Sequence, residues 1–209
     1  SDLGSTLTVL ALDTELTRGS VRIGSVLYDP GDAFDYLKEG EIGIEQFGIT
    51  VQDEFGQTGQ GVFSFQIEGV NDAPVAVGNT SSVLENGSID LAAASSVLGD
   101  DTDIDGDALT ISSIRTGDIA ATNGAQGAVG SILAGTYGVL TLNEDGQYSY
   151  ATTASAVDGL AAGVTVVDVF TYTITDGAES TSAELLITVT GVNDAPVAVG
   201  NTSSVLENG

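Results

Sequence analysis

The stretch GVNDAPVAVGNTSSVLENG occupies Gly69–Gly87 and returns without a change at Gly191–Gly209, 122 residues later. Two strand-like segments precede each copy. Before the second lie VVDVFTYTITDG (Val166–Gly177) and STSAELLITVTG (Ser180–Gly191). Before the first lie GIEQFGITVQDEFG (Gly43–Gly56) and QGVFSFQIEG (Gln60–Gly69). All four alternate apolar and polar residues with period two and are rich in Val, Ile, Thr and aromatics, which predicts β-strands. The Asp/Gly-rich turns between them predict antiparallel hairpins.

The correspondence extends further upstream. YGVLTLNEDGQYSYA (Tyr137–Ala151) reads as a hairpin around Glu144-Asp145-Gly146, and its counterpart SVRIGSVLYDPGDAFDYL (Ser20–Leu37) as one turning at Asp29-Pro30-Gly31. DALTISSI (Asp107–Ile114) matches STLTVLAL (Ser5–Leu12). Ser5–Gly69 is thus a diverged copy of the later part of residues 73–191, in a repeat of about 120 residues. No segment with helical period is longer than Ala154–Ala162. Some seven short strands per repeat predict an all-β fold of tandem immunoglobulin-like antiparallel β-sandwich domains. Residues 1–70 read as the C-terminal part of one repeat without its first strands, 71–192 as a complete repeat, and 193–209 as the linker and first strand of a third.

Composition narrows the chemistry. The 209 residues include no Cys, Met, Trp or His, so disulfides, thiolate metal sites and histidine catalysis are excluded. Thirty acidic residues face only Arg18, Arg22, Lys38 and Arg115, for a net charge of −26. Nucleic acid and anionic membrane surfaces are therefore not expected partners. No apolar run approaches the roughly 20 residues of a membrane span, so no membrane insertion is expected. Ser1 begins in mid-pattern, as in a piece of a longer array. The charge also has to be tolerated: either the acids are spread thinly, or cations neutralise the clusters.

The acids do cluster. Asn71 and Asp72 stand before Pro74, which stiffens the linker. DDTDIDGDALT (Asp100–Thr110) sets Asp101, Asp103, Asp105 and Asp107 at alternate positions, and Asp176 ends a strand. At one pole of a sandwich these segments can meet. Calcium takes six to eight hard oxygen ligands, which a D-x-D-x-D-G loop can supply. Two carboxylates about 4 Å apart repel by roughly 1 kcal/mol even in water, so such crowding favours a cation. The loop is no EF-hand, because Ser112 stands where a bidentate Glu belongs and a strand follows instead of a helix. The competing reading is a solvated acidic turn, which is how Glu144 and Asp145 are read.

GVNDAP resembles the interdomain linker of cadherins, VLENG with Glu85 the glutamate near the start of each cadherin repeat, DTDID the D-x-D motif and TITDG the late aspartate turn. Together with YGVLTLNEDGQYSYA, the chain resembles the VCBS-type, cadherin-like repeats of large bacterial RTX-type adhesins. The resemblance implies that Asn71, Asp72, Asp101, Asp103 and Asp176 bind calcium at the first linker, with Asp105 and Asp107 beside them. It implies that Asp53 or Glu54 comes from the preceding domain, and that Asn193, Asp194 and Glu85 belong to the second linker. Two features depart from the cadherin pattern. Gly69 replaces an acid at the first linker position, and LKEGE (Leu37–Glu41) and LAAGV (Leu160–Val164) stand where a D-R-E motif is found, the latter with no acid.

Three functions fit the class. The first is a calcium-stiffened spacer of a surface or secreted adhesin, supporting adhesion or biofilm formation, with neighbouring repeats of the same chain as partners. Near-identical repeats favour it. The second is a ligand-binding module, for instance for carbohydrate, although the Tyr and Phe residues mostly alternate within strands as core residues do. The third, an enzyme, lacks a nucleophile motif or a distinguished carboxylate pair, and the chain is read as non-enzymatic. Calcium sites of extracellular modules bind at about 10⁻⁴–10⁻³ M, so the extracellular space or bacterial cell surface is the expected location; the resemblance implies type I export. Ala195–Gly209 reads as a strand without a domain, and the first repeat as a sheet with a vacant edge. That pairing raises head-to-tail self-association by strand donation, a fibre-forming contact, against the alternative of arbitrary cuts in a repeat array.

Overall fold

The structure, a computed structural model, describes residues 6–15, 17–22, 27–90, 96–196, 198–205 and 207. In chain order the first strands are β1 (Thr8–Asp13), β2 (Ser20–Arg22), β3 (Leu27–Asp29), β4 (Ile42–Gln52) and β5 (Thr58–Glu68). They are followed by β6 (Asn79–Leu84), β7 (Ser88–Asp90), β8 (Thr110–Thr116), β9 (Gln126–Gly127) and β10 (Ile132–Ala134). The last are β11 (Gly138–Leu142), β12 (Tyr148–Thr152), β13 (Thr165–Thr175) and β14 (Ser180–Thr190). Among the described residues helix is confined to a 3₁₀ turn at Gly31–Phe34 and to α1 (Ala154–Val157). The fold is all-β and sandwich-like, as the period-two segments require. Among the described residues no helix is long and apolar enough to cross a membrane.

The chain divides into two compact units. One comprises Ser1–Val77, Asp100–Ser112 and Thr173–Ser182; the other comprises Gly78–Gly99, Ser113–Tyr172 and Ala183–Gly209.

In the first unit β1, β4 and β5 form an antiparallel sheet in the order β1-β4-β5, with a bulge in β1 between Val9 and Ala11. Phe47 is buried on this sheet and stacks on Phe63 at 5.5 Å between ring centroids, while Phe34 and Leu37 close over Gly43. The opposite side is open: Ile44 is 63% and Val62 71% exposed. The hairpin expected to turn at Asp29-Pro30-Gly31 turns elsewhere. β2 and β3 pair Ser20 with Asp29 and Arg22 with Leu27, so the reversal falls between Arg22 and Leu27, outside the described residues. Pro30, with φ of −65° already helical, instead opens the 3₁₀ turn, and Asp29 Oδ1 accepts from the Gly31 amide at 3.1 Å.

In the second unit a four-stranded sheet runs β10-β11-β12-β7. The β11–β12 hairpin closes as expected, with the Gly146 amide donating to Asn143 O at 3.0 Å. The facing sheet runs β6-β14-β13-β8-β9. Its β6 lies parallel to β14, from Leu185↔Asn79 to Thr190↔Leu84, a departure from an all-antiparallel sandwich. The repeated phrase enters this sheet beside the last strand and runs with it, which is sterically free because a long crossover separates the two. Leu140, Leu142, Tyr150, Val157, Phe170, Tyr172, Leu185, Ile187 and Val189 are buried between the sheets. Asp168, 2% exposed, sits among them. Its carboxylate accepts from the amides of Thr136, Tyr137 and Gly138 at 2.7–3.0 Å and from the Tyr150 hydroxyl at 2.7 Å. Burial and then this carboxylate raise the Tyr150 hydroxyl pKa far above its usual range. The first unit repeats the device: Glu45, 3% exposed, accepts from the Arg18 amide at 3.0 Å and the Tyr28 hydroxyl at 3.2 Å.

Candidate metal centre

Three segments of the first unit build the centre. The linker leaves β5 at Gly69 and pairs Val75 with Thr102 through two backbone hydrogen bonds of 2.8 and 3.1 Å. This bridge lays the linker along the aspartate loop. Asp72 N donates to Asp105 Oδ2 at 2.8 Å and Val77 N to Asp101 Oδ1 at 2.7 Å. The loop then folds on itself: Asp107 N donates to Asp103 Oδ1 at 3.0 Å, with Gly106 at φ +71°, a left-handed conformation that glycine adopts freely. Oxygens of Asp103, Asp105 and Asp107 come within 4.8 Å of one another, and Asp105 is only 5% exposed.

The third segment is the turn between β13 and β14. Asp176 Oδ1 accepts from the amides of Ala178 and Glu179 at 2.7 Å, and Oδ2 accepts from Asn71 Nδ2 at 3.0 Å. Asn71, then the turn amides, hold the Asp176 carboxyl below its ordinary range. Asn71 Nδ2 also donates to Asp72 O at 3.2 Å, so Asp176 fixes the orientation of the linker amide. Asn71, Asp72, Asp101, Asp103, Asp105, Asp107 and Asp176 thus meet, as the motif pattern anticipates.

Asp53 and Glu54 do not join them. Asp53 accepts from the Phe55 and Gln57 amides in the β4–β5 turn, beside the Gln52↔Thr58 pair, whereas the linker departs beside Ile42↔Glu68. Ten residue steps of strand, about 33 Å, lie between. Asp53 is the counterpart of Asp176, and in a hairpin the turn and the chain exit lie at opposite ends.

The acid that this unit brings to the linker is Asp35, at the end of the 3₁₀ turn. It lines a cavity of about 450 Å³ together with Asp72, Val75, Thr102 and Asp103. Desolvation, then the charges of Asp32, Asp72 and Asp105, push its carboxyl above the usual range. Lys38 follows in the same loop, its ammonium donating to Asp107 Oδ1 and to Gly106 O at 3.2 Å. That hydrogen bond with Asp107 raises the Lys38 pKa. Neither residue carries a motif. The sequence signal available was their place in the loop ending at LKEGE, the segment corresponding to the missing D-R-E.

That loop also accounts for Gly69. Its amide donates to Glu41 O at 2.8 Å, and Gly40 N donates back to Gly69 O at 3.0 Å. A Cβ on Gly69 would lie 2.4 Å from Lys38 O and 2.5 Å from Leu37 O. No acid fits there.

In the second unit the same phrase shows the same backbone logic with less around it. Gly191 N donates to Val164 O at 2.8 Å and Gly163 N to Gly191 O at 2.9 Å, so LAAGV stands where LKEGE stands in the first. Asn193 Nδ2 donates to Asp194 O at 3.1 Å, as Asn71 does to Asp72. Glu85, 3% exposed at the end of β6, accepts from Val192 N at 2.7 Å and so reaches the second phrase. Asn193 and Asp194 themselves are exposed.

The donor set tests the metal. Among the described residues, the buried side-chain oxygens without a hydrogen-bond partner are Glu85 Oε2, Asp101 Oδ2, Asp103 Oδ2 and Asp105 Oδ1. Such atoms are costly unless something fills their lone pairs. Burial also raises the Asp101 carboxyl, against the Val77 hydrogen bond. An all-oxygen, anionic set with orphaned lone pairs fits calcium, and its lack of nitrogen and sulfur donors does not favour zinc or copper.

Residues 71–191, more than half of the chain, match the family model described as a bacterial cadherin-like domain. The calcium-binding lectin RapA2 of Rhizobium johnstonii is 32% identical over 174 residues, covering 81% of this chain and 70% of that protein. Among solved structures, the extracellular cadherin domains 1–5 of protocadherin gamma B2 match 92% of this chain and 34% of theirs, at 15% identity and a TM-score of 0.43. Domains EC1-3 of Drosophila N-cadherin match 91% and 57%, at 16% identity and a TM-score of 0.37. The chain thus spans less than two-thirds of either solved chain. It belongs to the bacterial cadherin-like domain family.

Proposed function

We propose that this chain is a calcium-stiffened spacer of a large bacterial cell-surface or secreted adhesin of the VCBS and RTX type, supporting adhesion or biofilm formation. The observation that carries the reading is the set of orphaned carboxylate oxygens on Asp101, Asp103 and Asp105, beside a proline-bearing linker. Asn71, Asp72, Asp101, Asp103, Asp105 and Asp107 would hold calcium at the first linker, with Asp35 in place of Asp53 or Glu54, and Asp176 orienting Asn71. Glu85, Asn193 and Asp194 would serve the second. Residues 1–70, 71–192 and 193–209 are then successive pieces of a repeat array, each linker locked by the ion. Bound calcium supplies charge neutralisation and a common anchor for linker and loop. The chain's own residues supply the geometry: the Val75–Thr102 bridge sets the register and the Asp176–Asn71 bond orients the amide. The role is mechanical and extracellular and needs no catalytic group.

Small-angle scattering tests the stiffening. The maximum dimension should rise and its spread narrow in millimolar calcium relative to chelator; superimposable profiles contradict the reading. A second reading, calcium-dependent carbohydrate binding, is supported by the printed name of the 32% identical relative, a calcium-binding lectin. Calcium-dependent binding on a glycan array favours it.

A further inference from the structure

Lys38 is the only lysine in the chain. Its ammonium lies against the most acidic loop, bonded to Asp107 Oδ1 and, at 3.2 Å, to Gly106 O. Asp105, 5% exposed, keeps Oδ1 without a partner, and so does Asp103 at Oδ2. The ammonium therefore engages one arm of the triad and leaves an unpartnered oxygen on each of the other two. Within the triad alone, three carboxylates less one ammonium leave two negative charges, and Asp35, Asp72 and Asp101 add to them. The Gly163–Gly191 backbone bond of the second unit mirrors the Gly40–Gly69 bond of the first and puts Ala161 where the first has Lys38.

We propose that Lys38 is a built-in counter-ion of the first linker, competing with calcium for the Asp103–Asp107 carboxylates and setting the affinity of that linker. The inference rests on the calcium reading above. A calcium ion in the triad must either share Asp107 with the ammonium or displace it, and its charge repels the ammonium in both cases. A unit charge about 6 Å from a divalent ion in a water-like dielectric is worth roughly one tenfold step in affinity. The second linker has no such cation in its loop. The same ammonium keeps the Asp107 arm partly neutralised when calcium is scarce.

The test is calcium affinity by competition with a chromogenic chelator at fixed ionic strength. It compares the full chain, Lys38→Met, and Arg115→Met as a control for net charge; the Arg115 guanidinium donates to the carbonyls of Thr116 and Ile119. The expected result is about tenfold tighter binding by Lys38→Met and an unchanged affinity for Arg115→Met, each relative to the unaltered chain. Unchanged or weaker binding by Lys38→Met, or equal tightening by both variants, overturns the counter-ion role while leaving the calcium reading intact. No binding by any of the three chains overturns the calcium reading, and the proposal with it.

Discussion

At the residue scale, two kinds of buried acid are built differently. Asp168 is satisfied by three amides and a hydroxyl, and it ties β13 to the segment before β11 and to β12. Asp105 is as deeply placed, yet one of its oxygens has no partner. The first is a structural clasp; the second is a proposed calcium ligand. The distinction predicts opposite responses to substitution. Asp168→Ala leaves three amides and the Tyr150 hydroxyl unpaired and should cost about 3 kcal/mol or more, with or without calcium. Tyr150→Phe, which spares the three amides, should cost about 1–2 kcal/mol. Urea unfolding measures both, and a loss under about 0.5 kcal/mol for Asp168→Ala would show that the clasp is dispensable. In calcium, Asp103→Ala should destabilise the protein, while Asp145→Ala, in a hairpin turn, should not.

At the scale of elements, one sequence adopts two states. Asn79–Leu84 forms β6 against β14, whereas the described residues of the identical NTSSVL at 201–206 form no strand, and Val205 is 91% exposed. Pairing therefore makes this strand, not its local propensity. That contrast also explains which features were legible. The long hairpins β4–β5 and β13–β14 were plain from alternation, because each buries one face in strict period two. The clustering of the aspartate-loop carboxylates was plain too, because the motif holds them within a few residues. The 3₁₀ turn at Gly31–Phe34 was not, since Asp-Pro-Gly suits a hairpin turn and a helix start equally well. Asp35 and Lys38 were missed because their role arises from chain direction: the loop before β4 and the exit of β5 share an end, and the Asp53 turn takes the other. The Gly69 substitution follows from the same packing. Gly69→Ala should cost about 1–3 kcal/mol, since its Cβ meets two backbone oxygens that cannot swing away. A thermal melt indistinguishable from that of the unaltered chain would refute the close approach.

At the scale of the whole molecule, a net charge of −26 makes stability a matter of pH and cations. Asp35 and Asp101 have folded pKa values raised above the unfolded ones, so their protonation favours the fold, increasingly as pH falls toward about 4. Asp176 is depressed; its contribution is present above about 3.9 and is lost as pH falls through the folded value. In chelator the melting midpoint should accordingly rise as pH falls from neutrality toward about 4 and fall below that. With calcium the order reverses in the upper window, because protons displace the ion. At a hundred times Kd one site adds about 2.7 kcal/mol, so the gap between calcium and chelator should be widest near neutrality. A gap independent of pH would argue against carboxylate ligands.

The most direct test of the account is isothermal titration of the chain with calcium at neutral pH, beside Asp105→Asn. The account predicts a saturable heat with Kd near the extracellular range of about 10⁻⁴–10⁻³ M, weakened at least about tenfold by the substitution. No saturable heat up to about 10 mM calcium, or identical isotherms for the two chains, would contradict it.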